Sequence, residues 1–310
     1  MFLVCGEAVI DLFQDQSAGE MRFHGLPAGS PFNVAVGLAR LGCKTSFITG
    51  LSTDPFGERL IAALEREGIT WDLAPRTDRP TILSFVLVKP DGSPEYAFYG
   101  ERGADSQVQT EALPPMLPET IKGIHFGGFP LAIEPSRSAY SRFIERYAGT
   151  RFIALDPNIR ASLMGDMDEF RDHFEGLCPH AALIKASTED IALLYPGVDA
   201  ITIARRWRNL GSGTVVITDG AKGAFAVNEN GTCLSKAAPI AVIDTVGAGD
   251  CFMAALLAGL SEHGLLKRKA LANTSSAMLK ALMDDANRAA GISCKRRGAN
   301  PPTRAEIDAA

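Results

Sequence analysis

Along the 310 residues, short runs rich in β-branched and aromatic side chains alternate with segments whose apolar positions recur at helical spacing. The runs FLVCGEAVIDLF (2–13), TSFITG (45–50), FIALD (152–156), LIKA (183–186) and TVVITD (214–219) predict strands, each followed by helix-like sequence. Phe32, Ala35, Val36 and Ala39 fall at i, i+3, i+4 and i+7 and predict a helix from about Pro31, while Asp54-Pro55 supplies a cap and a first-turn proline to another. Alternation of this kind builds βαβ units, so the expected class is α/β, a mainly parallel central sheet flanked by helices. No internal repeat and no linker rich in Pro, Gly or Ser divides the chain, and residues 1–310 read as a single domain.

One stretch breaks the rhythm. Thr81 to Val88 and Glu95 to Tyr99 read as strands joined by a Pro-Asp-Gly-Ser-Pro turn, a hairpin with no helix in it. The polar segment Gln14 to His24 can pair beside the first strand. Segments of about 14–25 and 80–101 thus make a small projecting sheet, which is either a lid over a pocket or a plain surface hairpin.

A soluble globular protein follows from 46% hydrophobic and 22% charged residues. With a formal charge of -5 and no basic run beyond Lys267 to Lys269 and Lys295 to Arg297, the footprint of a nucleic-acid binder is missing. The six cysteines include no C-x-x-C, which argues against a zinc site and fits reduced thiols in a cytoplasm. The apolar start lacks a basic n-region and carries Glu7 and Asp11, so it reads as a buried strand rather than a signal peptide. The longest apolar run, Phe252 to Leu260, is about half the ~20 residues of a membrane span.

The chemistry concentrates in DTVGAGDCF (244–252). A strand PIAVID should end at Asp244 and an apolar helix begin near Ala248, which puts Gly247, Ala248 and Gly249 on a strand-to-helix turn. Backbone amides there point at an approaching anion and the helix dipole favours its charge. Asp250 sits where a carboxylate could take a proton from an attacking hydroxyl; the alternative is a tight turn with a helix cap. No G-x-x-x-x-G-K-[ST], strand-linked G-x-G-x-x-G, H-E-x-x-H or G-x-S-x-G occurs, which disfavours P-loop enzymes, classical dinucleotide binders, zincins and α/β-hydrolases.

AGSPFNVAVGLARLG (28–42) and DTVGAGDCFMAALLAGL (244–260) resemble the two signatures of the PfkB family of carbohydrate kinases, which has the ribokinase fold. GEAVIDLF, DPNIR (156–160), VVITDGAKGA and GANPPTR extend the likeness across nearly the whole chain, and among members it most resembles bacterial fructokinases. The resemblance implies ATP-dependent phosphorylation of a sugar hydroxyl, with Asp250 as general base, the Gly247, Ala248 and Gly249 amides stabilising the transferring phosphoryl, and Arg160 facing phosphate. It places Asp11, Gly29, Asn33 and Asn158 against the sugar, with Glu101 and Arg102 closing from the lid. Thr218, Gly220 and Gly223 match the nucleotide loop, although a hairpin turn would look the same, and Asn273 matches a position lining the adenine pocket. Magnesium is implied by the chemistry. Potassium is implied beside Asp244 and Thr245 and the 297–300 loop. A lid with an exposed apolar face also favours a homodimer.

Two departures stand out. Where the family has N-x-x-E near magnesium, this chain has Ser187 and Asp190, which also read as a helix capping box. Ser30 stands where a third glycine is common. Kinases for 2-keto-3-deoxygluconate, ribose, tagatose phosphate or nucleosides remain alternatives within the class, as does a non-catalytic sugar binder outside it.

Overall fold

The computed structural model describes residues 1–15, 21–88, 94–100 and 102–310. Among them the strands are, in chain order, β1 (Phe2–Cys5), β2 (Val9–Asp15), β3 (Arg22–Ala28), β4 (Thr45–Ile48), β5 (Leu51–Ser52), β6 (Arg76–Thr77) and β7 (Leu83–Val88). Then follow β8 (Pro94–Tyr99), β9 (Gly123–Gly127), β10 (Phe152–Asp156), β11 (Leu183–Ser187), β12 (Thr214–Thr218), β13 (Ala224–Asn228) and β14 (Gly231–Ser235).

An eight-stranded sheet has the order β14-β13-β12-β11-β10-β9-β1-β4, parallel from β4 to β12 and antiparallel at β13 and β14. Both faces are covered, so the inner strands read as continuous apolar runs instead of alternating ones. On β1, Phe2 and Val4 join the core on one face with Phe32, Phe47 and Leu256, while Leu3 and Cys5 join the core on the other face, which also holds Phe126, Tyr140 and Trp207. The helix Ser30–Arg40, begun by Pro31 near its first turn, lies against the helix Ala248–Glu262. A Cβ on Gly37 would stand only 2.6 Å from the Ala254 methyl, so a glycine lets the two backbones approach.

The small sheet has the order β3-β2-β7-β8. It begins earlier than the sequence suggests. FLVCGEAVIDLF is two strands, β1 in the main sheet and β2 in the small one, because the chain bends at Gly6 with φ 146°. A Cβ there would overlap the Pro31 ring and the Gly127 carbonyl oxygen. The hairpin β7–β8 forms as expected and pairs β7 parallel to β2. Phe23, Phe85 and Tyr99 make an edge-to-face row on the sheet, with centroids 5.1 Å apart at each step. At the sheet's root Asp54 caps the helix Pro55–Arg66 through the Gly57 amide at 2.7 Å and also accepts the Thr81 amide at 2.7 Å.

The expected strand PIAVID does not form. Residues 236–244 are irregular, with Val242 56% and Ile243 63% exposed. The Ile243 and Asp244 amides both donate to the Cys294 carbonyl, at 2.8 and 3.2 Å, where a strand would need a partner of its own. No helix among the described residues is long and apolar enough to cross a membrane.

Gly6→Ala should destabilise the protein by about 3 kcal/mol, since it combines backbone strain with overlap against two fixed neighbours. A denaturant midpoint unchanged from the parent would show that Gly6 is not the bend on which the two sheets depend.

Candidate active site

The turn before the helix Ala248–Glu262 has the geometry the glycines promise. Gly247 is the N-cap in a left-handed conformation, φ 75° and ψ 3°, and a Cβ on it would run into Ala299. No side chain caps the helix, so apart from the Ala248 amide, which donates to the Thr245 carbonyl at 3.2 Å, its first-turn amides stay open toward an anion. Asp244 braces the turn from below. Its Oδ1 accepts the Val246 amide at 3.0 Å and its Oδ2 the Gly298 amide at 2.8 Å, tying the 244–246 and 298–300 loops together.

Asp250 lies in the first turn and is 5% exposed. Ser30 Oγ donates to its Oδ1 at 2.7 Å and Asn33 Nδ2 to its Oδ2 at 2.8 Å. Burial raises its pKa, and the Asn33 and Ser30 donors, then Lys185 and Arg160, oppose that rise. Asp11, on β2 of the small sheet, is pushed up to about 6 by burial, with Ser84 and Arg160 pulling down and Asp250 pushing further up. Asp11, Arg160 and Asp250 therefore converge on one space, bounded by Gly29 at the N-cap of the Asn33 helix. Arg160 and Asn158 leave the C-terminal end of β10, where open α/β sheets bind ligands, and Asn158 has φ 38°.

Sequence reading missed the group behind the glycine turn. Lys185 on β11 is 2% exposed and donates to the fully buried Asp156 at 2.9 Å. A Cβ on Gly249 would come within 3.0 Å of the Lys185 ammonium. Burial pulls the Lys185 pKa down, but Asp156, Asp190 and Asp250 outweigh it and the net direction is up. A fixed positive charge thus sits directly under the anion hole. The signal was present: a lysine and an aspartate inside runs, LIKA and FIALD, that are otherwise buried on both faces.

Glu7 and Asp105 were also overlooked. Both are buried, Glu7 Oε1 accepts the Ser30 amide at 3.0 Å, and Glu7 Oε2 and both Asp105 oxygens have no partner among the described residues. Burial pushes Glu7 to about 8, with Asp105 adding to the rise and the Ser30 amide and Arg160 opposing it, and pushes Asp105 to about 7 against the pull of nearby backbone amides.

The remaining candidates are placed as follows. Ser187 ends β11 beside Thr218 at the end of β12, along the same edge as Asp156. Ser187 and Asp190 form a complete capping box, and Asp190 Oδ1 also accepts the Ile159 amide at 2.8 Å, so both carboxylate oxygens are engaged. Thr218, Gly220 and Gly223 lie on the connection between the antiparallel strands β12 and β13, a hairpin in form, and Gly223 has φ 99° against the Ser235 carbonyl. Asn273 ends the helix Arg268–Ala272, its Nδ2 donating to the Lys269 carbonyl at 2.8 Å. The Thr245 carbonyl accepts the Ala248 amide at 3.2 Å. Arg102 is exposed with φ 58°, and Glu101 lies outside the described residues.

A helix N-terminus without a side-chain cap and with a buried carboxylate in its first turn, beside an open α/β sheet, suits phosphoryl transfer to a small molecule. Residues 1–306 match the pfkB family carbohydrate kinase description, and the chain belongs to that family. Fructokinase from Rhizobium leguminosarum bv. trifolii is 34% identical over 281 residues, covering 90% of this chain and 86% of that protein. Fructokinase from Klebsiella pneumoniae is 36% identical over 268 residues, covering 84% and 85%. A double mutant of fructokinase from Vibrio cholerae O395, solved with fructose, ADP and potassium ion bound, matches with a TM-score of 0.86 at 25% identity over 99% of this chain and 97% of that one.

The raised carboxyls set a pH dependence of stability. An acid whose pKa is higher folded than unfolded binds more protons when folded, so its stabilising contribution is complete below about 4 and is lost as pH rises toward the folded value. Asp105, at about 7 when folded, should make the protein less stable at pH 8 than at pH 5, by at most about 1.4 kcal/mol per pH unit crossed. Asp105→Asn should flatten that slope in denaturant titrations; a slope equal to the parent's would mean that Asp105 titrates normally.

Proposed function

We propose that this carbohydrate kinase is a fructokinase, moving the γ-phosphoryl of ATP to the 6-hydroxyl of fructose with Asp250 as general base. The observation that carries the reading is the buried Asp250 carboxylate, aimed by Ser30 and Asn33 beside the open glycine turn. The names of the relatives support the choice of sugar. Asp11, Asn33 and Asn158 would hold the sugar hydroxyls, with Gly29 letting the ring approach, and Glu101 and Arg102 would close from the lid. As the 6-oxygen attacks, its proton passes to Asp250, the new P–O bond forms in line with the breaking one, and ADP leaves. The 247–249 amides, Arg160 and the Lys185 ammonium would balance charge on the phosphoryl oxygens.

Thr218, Gly220, Gly223 and Asn273 would line the nucleotide site, with Ser187 at its phosphate end. Magnesium would neutralise and bridge the nucleotide's phosphates, as kinase chemistry requires. No group of three acidic, His or Cys side chains among the described residues could cage it, and both Asp190 oxygens are engaged, so Asp190 would act on it only through water. Potassium would sit between the loops that Asp244 joins, near Thr245; the Vibrio protein was solved with potassium ion bound. Six free cysteines fit a cytoplasmic setting. Leu26, 48% exposed, and Tyr99, 62% exposed, favour a homodimer through the lid.

Magnesium-ATP turnover, followed as ADP release, should be dominated by fructose over ribose, 2-keto-3-deoxygluconate, tagatose 6-phosphate and adenosine. Asp250→Asn should fold, keep ATP affinity and lose at least about 10²-fold in turnover. Another acceptor in first place would replace fructose and leave the kinase reading intact, whereas near-normal turnover by the variant would remove the general base. Fructose should also slow hydrogen exchange in β7 and β8; equal exchange with and without sugar would remove the lid role.

A further inference from the structure

Ser30 has two contacts that the transfer reaction does not by itself call for. Through its hydroxyl it donates to Asp250 Oδ1 at 2.7 Å, and through its amide it donates to Glu7 Oε1 at 3.0 Å. We propose that Glu7 and Ser30 are positioning residues for phosphoryl transfer, Glu7 anchoring the Ser30 backbone so that the Ser30 hydroxyl orients Asp250 and holds it ionised. The inference rests on Asp250 being the general base and names the groups that prepare it.

The helix Ser30–Arg40 has glycine at its N-cap and no side-chain cap. A first-turn amide left without a partner inside the protein is costly, and Glu7, from 23 residues upstream, takes the role that a serine or aspartate cap would play. The Glu7 carboxyl is itself closely confined. A Cβ on Gly128 would land on its Oε2, and one on Gly29 would come within 2.7 Å of the Glu7 carbonyl oxygen and 3.2 Å of its Cγ. Glycines at both places leave room for this carboxyl and little else, so the start of the helix is held in one position.

From that position the helix reaches Asp250 twice. Ser30 and Asn33, three residues apart and so on one face of the first turn, each take a different carboxylate oxygen. Rotation of the carboxyl would break one bond or the other, and the oxygen that is to receive the sugar's proton is aimed before the sugar arrives. The Ser30 hydroxyl also opposes the rise that burial imposes on Asp250. Without this donor the balance moves toward the protonated form, which cannot accept a proton. The charged groups that also act on Asp250 are Lys185 from β11, Arg160 after β10, Asp156 at the end of β10 and Asp11 from β2; of these Arg160 also acts on Glu7, so Ser30→Ala is the cleaner probe. Burial raises the Glu7 pKa to about 8, so near neutrality its carboxyl is largely protonated and close in shape and charge to a carboxamide.

The test is steady-state kinetics across pH, on the sugar that the panel selects, for the parent, Ser30→Ala, Glu7→Ala, Glu7→Gln and the Ser30→Ala/Glu7→Ala pair. Ser30→Ala should lower kcat about tenfold, leave KM for ATP within about twofold, and move the acid limb of kcat/KM up by about one pH unit, the sign expected when a donor to the ionised form is lost. Glu7→Ala should shift kcat and the limb in the same direction, and Glu7→Gln, which keeps an acceptor for the Ser30 amide, should restore both to within about threefold of the parent. Because Glu7 acts through Ser30, the double variant should be no worse than Ser30→Ala. An acid limb that stays in place in Ser30→Ala overturns the proposal even if Glu7→Ala does not fold, and losses that multiply in the double variant overturn the link from Glu7 to Ser30. Asp250→Asn keeps the two readings apart. Full turnover there removes the general base itself, whereas lost turnover there with an unmoved limb in Ser30→Ala removes only the positioning role.

Discussion

A general base of the kind proposed for Asp250 has to be dry to react well and ionised to react at all, and those demands oppose each other. Taking a carboxylate out of water costs several kcal/mol unless hydrogen bonds replace the solvent. Here the replacement comes from a single helix turn, Ser30 and Asn33, which are 220 and 217 residues away in sequence. The two helices must therefore pack closely and in one register, and Gly37 against Ala254 provides the close approach. The central sheet, with β1 and β4 at one end and β11 and β12 toward the other, is the frame that keeps both helices where this bond pair needs them.

Behind Asp250 the same problem recurs. Lys185 and Asp156 are a salt bridge at 2% and 0% exposure, and such pairs rarely add net stability compared with apolar packing. Under the glycine turn the role proposed for the pair is electrostatic: a positive charge held in a medium of low polarisability would act strongly on a bound phosphoryl group and need no reorganisation. The small sheet supplies the remaining wall. Asp11 is carried on β2, so any movement of that sheet would move the proposed sugar ligand with it, and Asp54 fastens its root to the helix Pro55–Arg66.

Much of this could be read from the chain before any coordinates. Periodicity located the parallel strands except β9, whose GIHFG carries little strand signal, and the first helices, because fully buried strands and one-sided helices leave different spacings of apolar residues. Local chemistry located the glycine turn and Asp250. The errors came where a local pattern had no knowledge of its surroundings. FLVCGEAVIDLF carries an unbroken strand signal, yet Gly6 bends it between two sheets because Pro31 and Gly127 crowd that point. PIAVID carries one too, but finds no strand to bond to and stays irregular with Ile243 exposed. Lys185 and Glu7 looked like incidental charges in apolar runs, since nothing near them in sequence shows what they face.

The sequence by itself determined the α/β class, most of the parallel strands and the glycine turn before Asp250, all of which depend on residues within a few positions of one another. Tertiary structure decided which charges are buried, which carboxylates keep raised pKa values and which side chains aim Asp250. Those properties depend on groups brought together from β1, β2, β10, β11 and two helices, and the energy of a charge is set by what surrounds it in space, not by its neighbours along the chain.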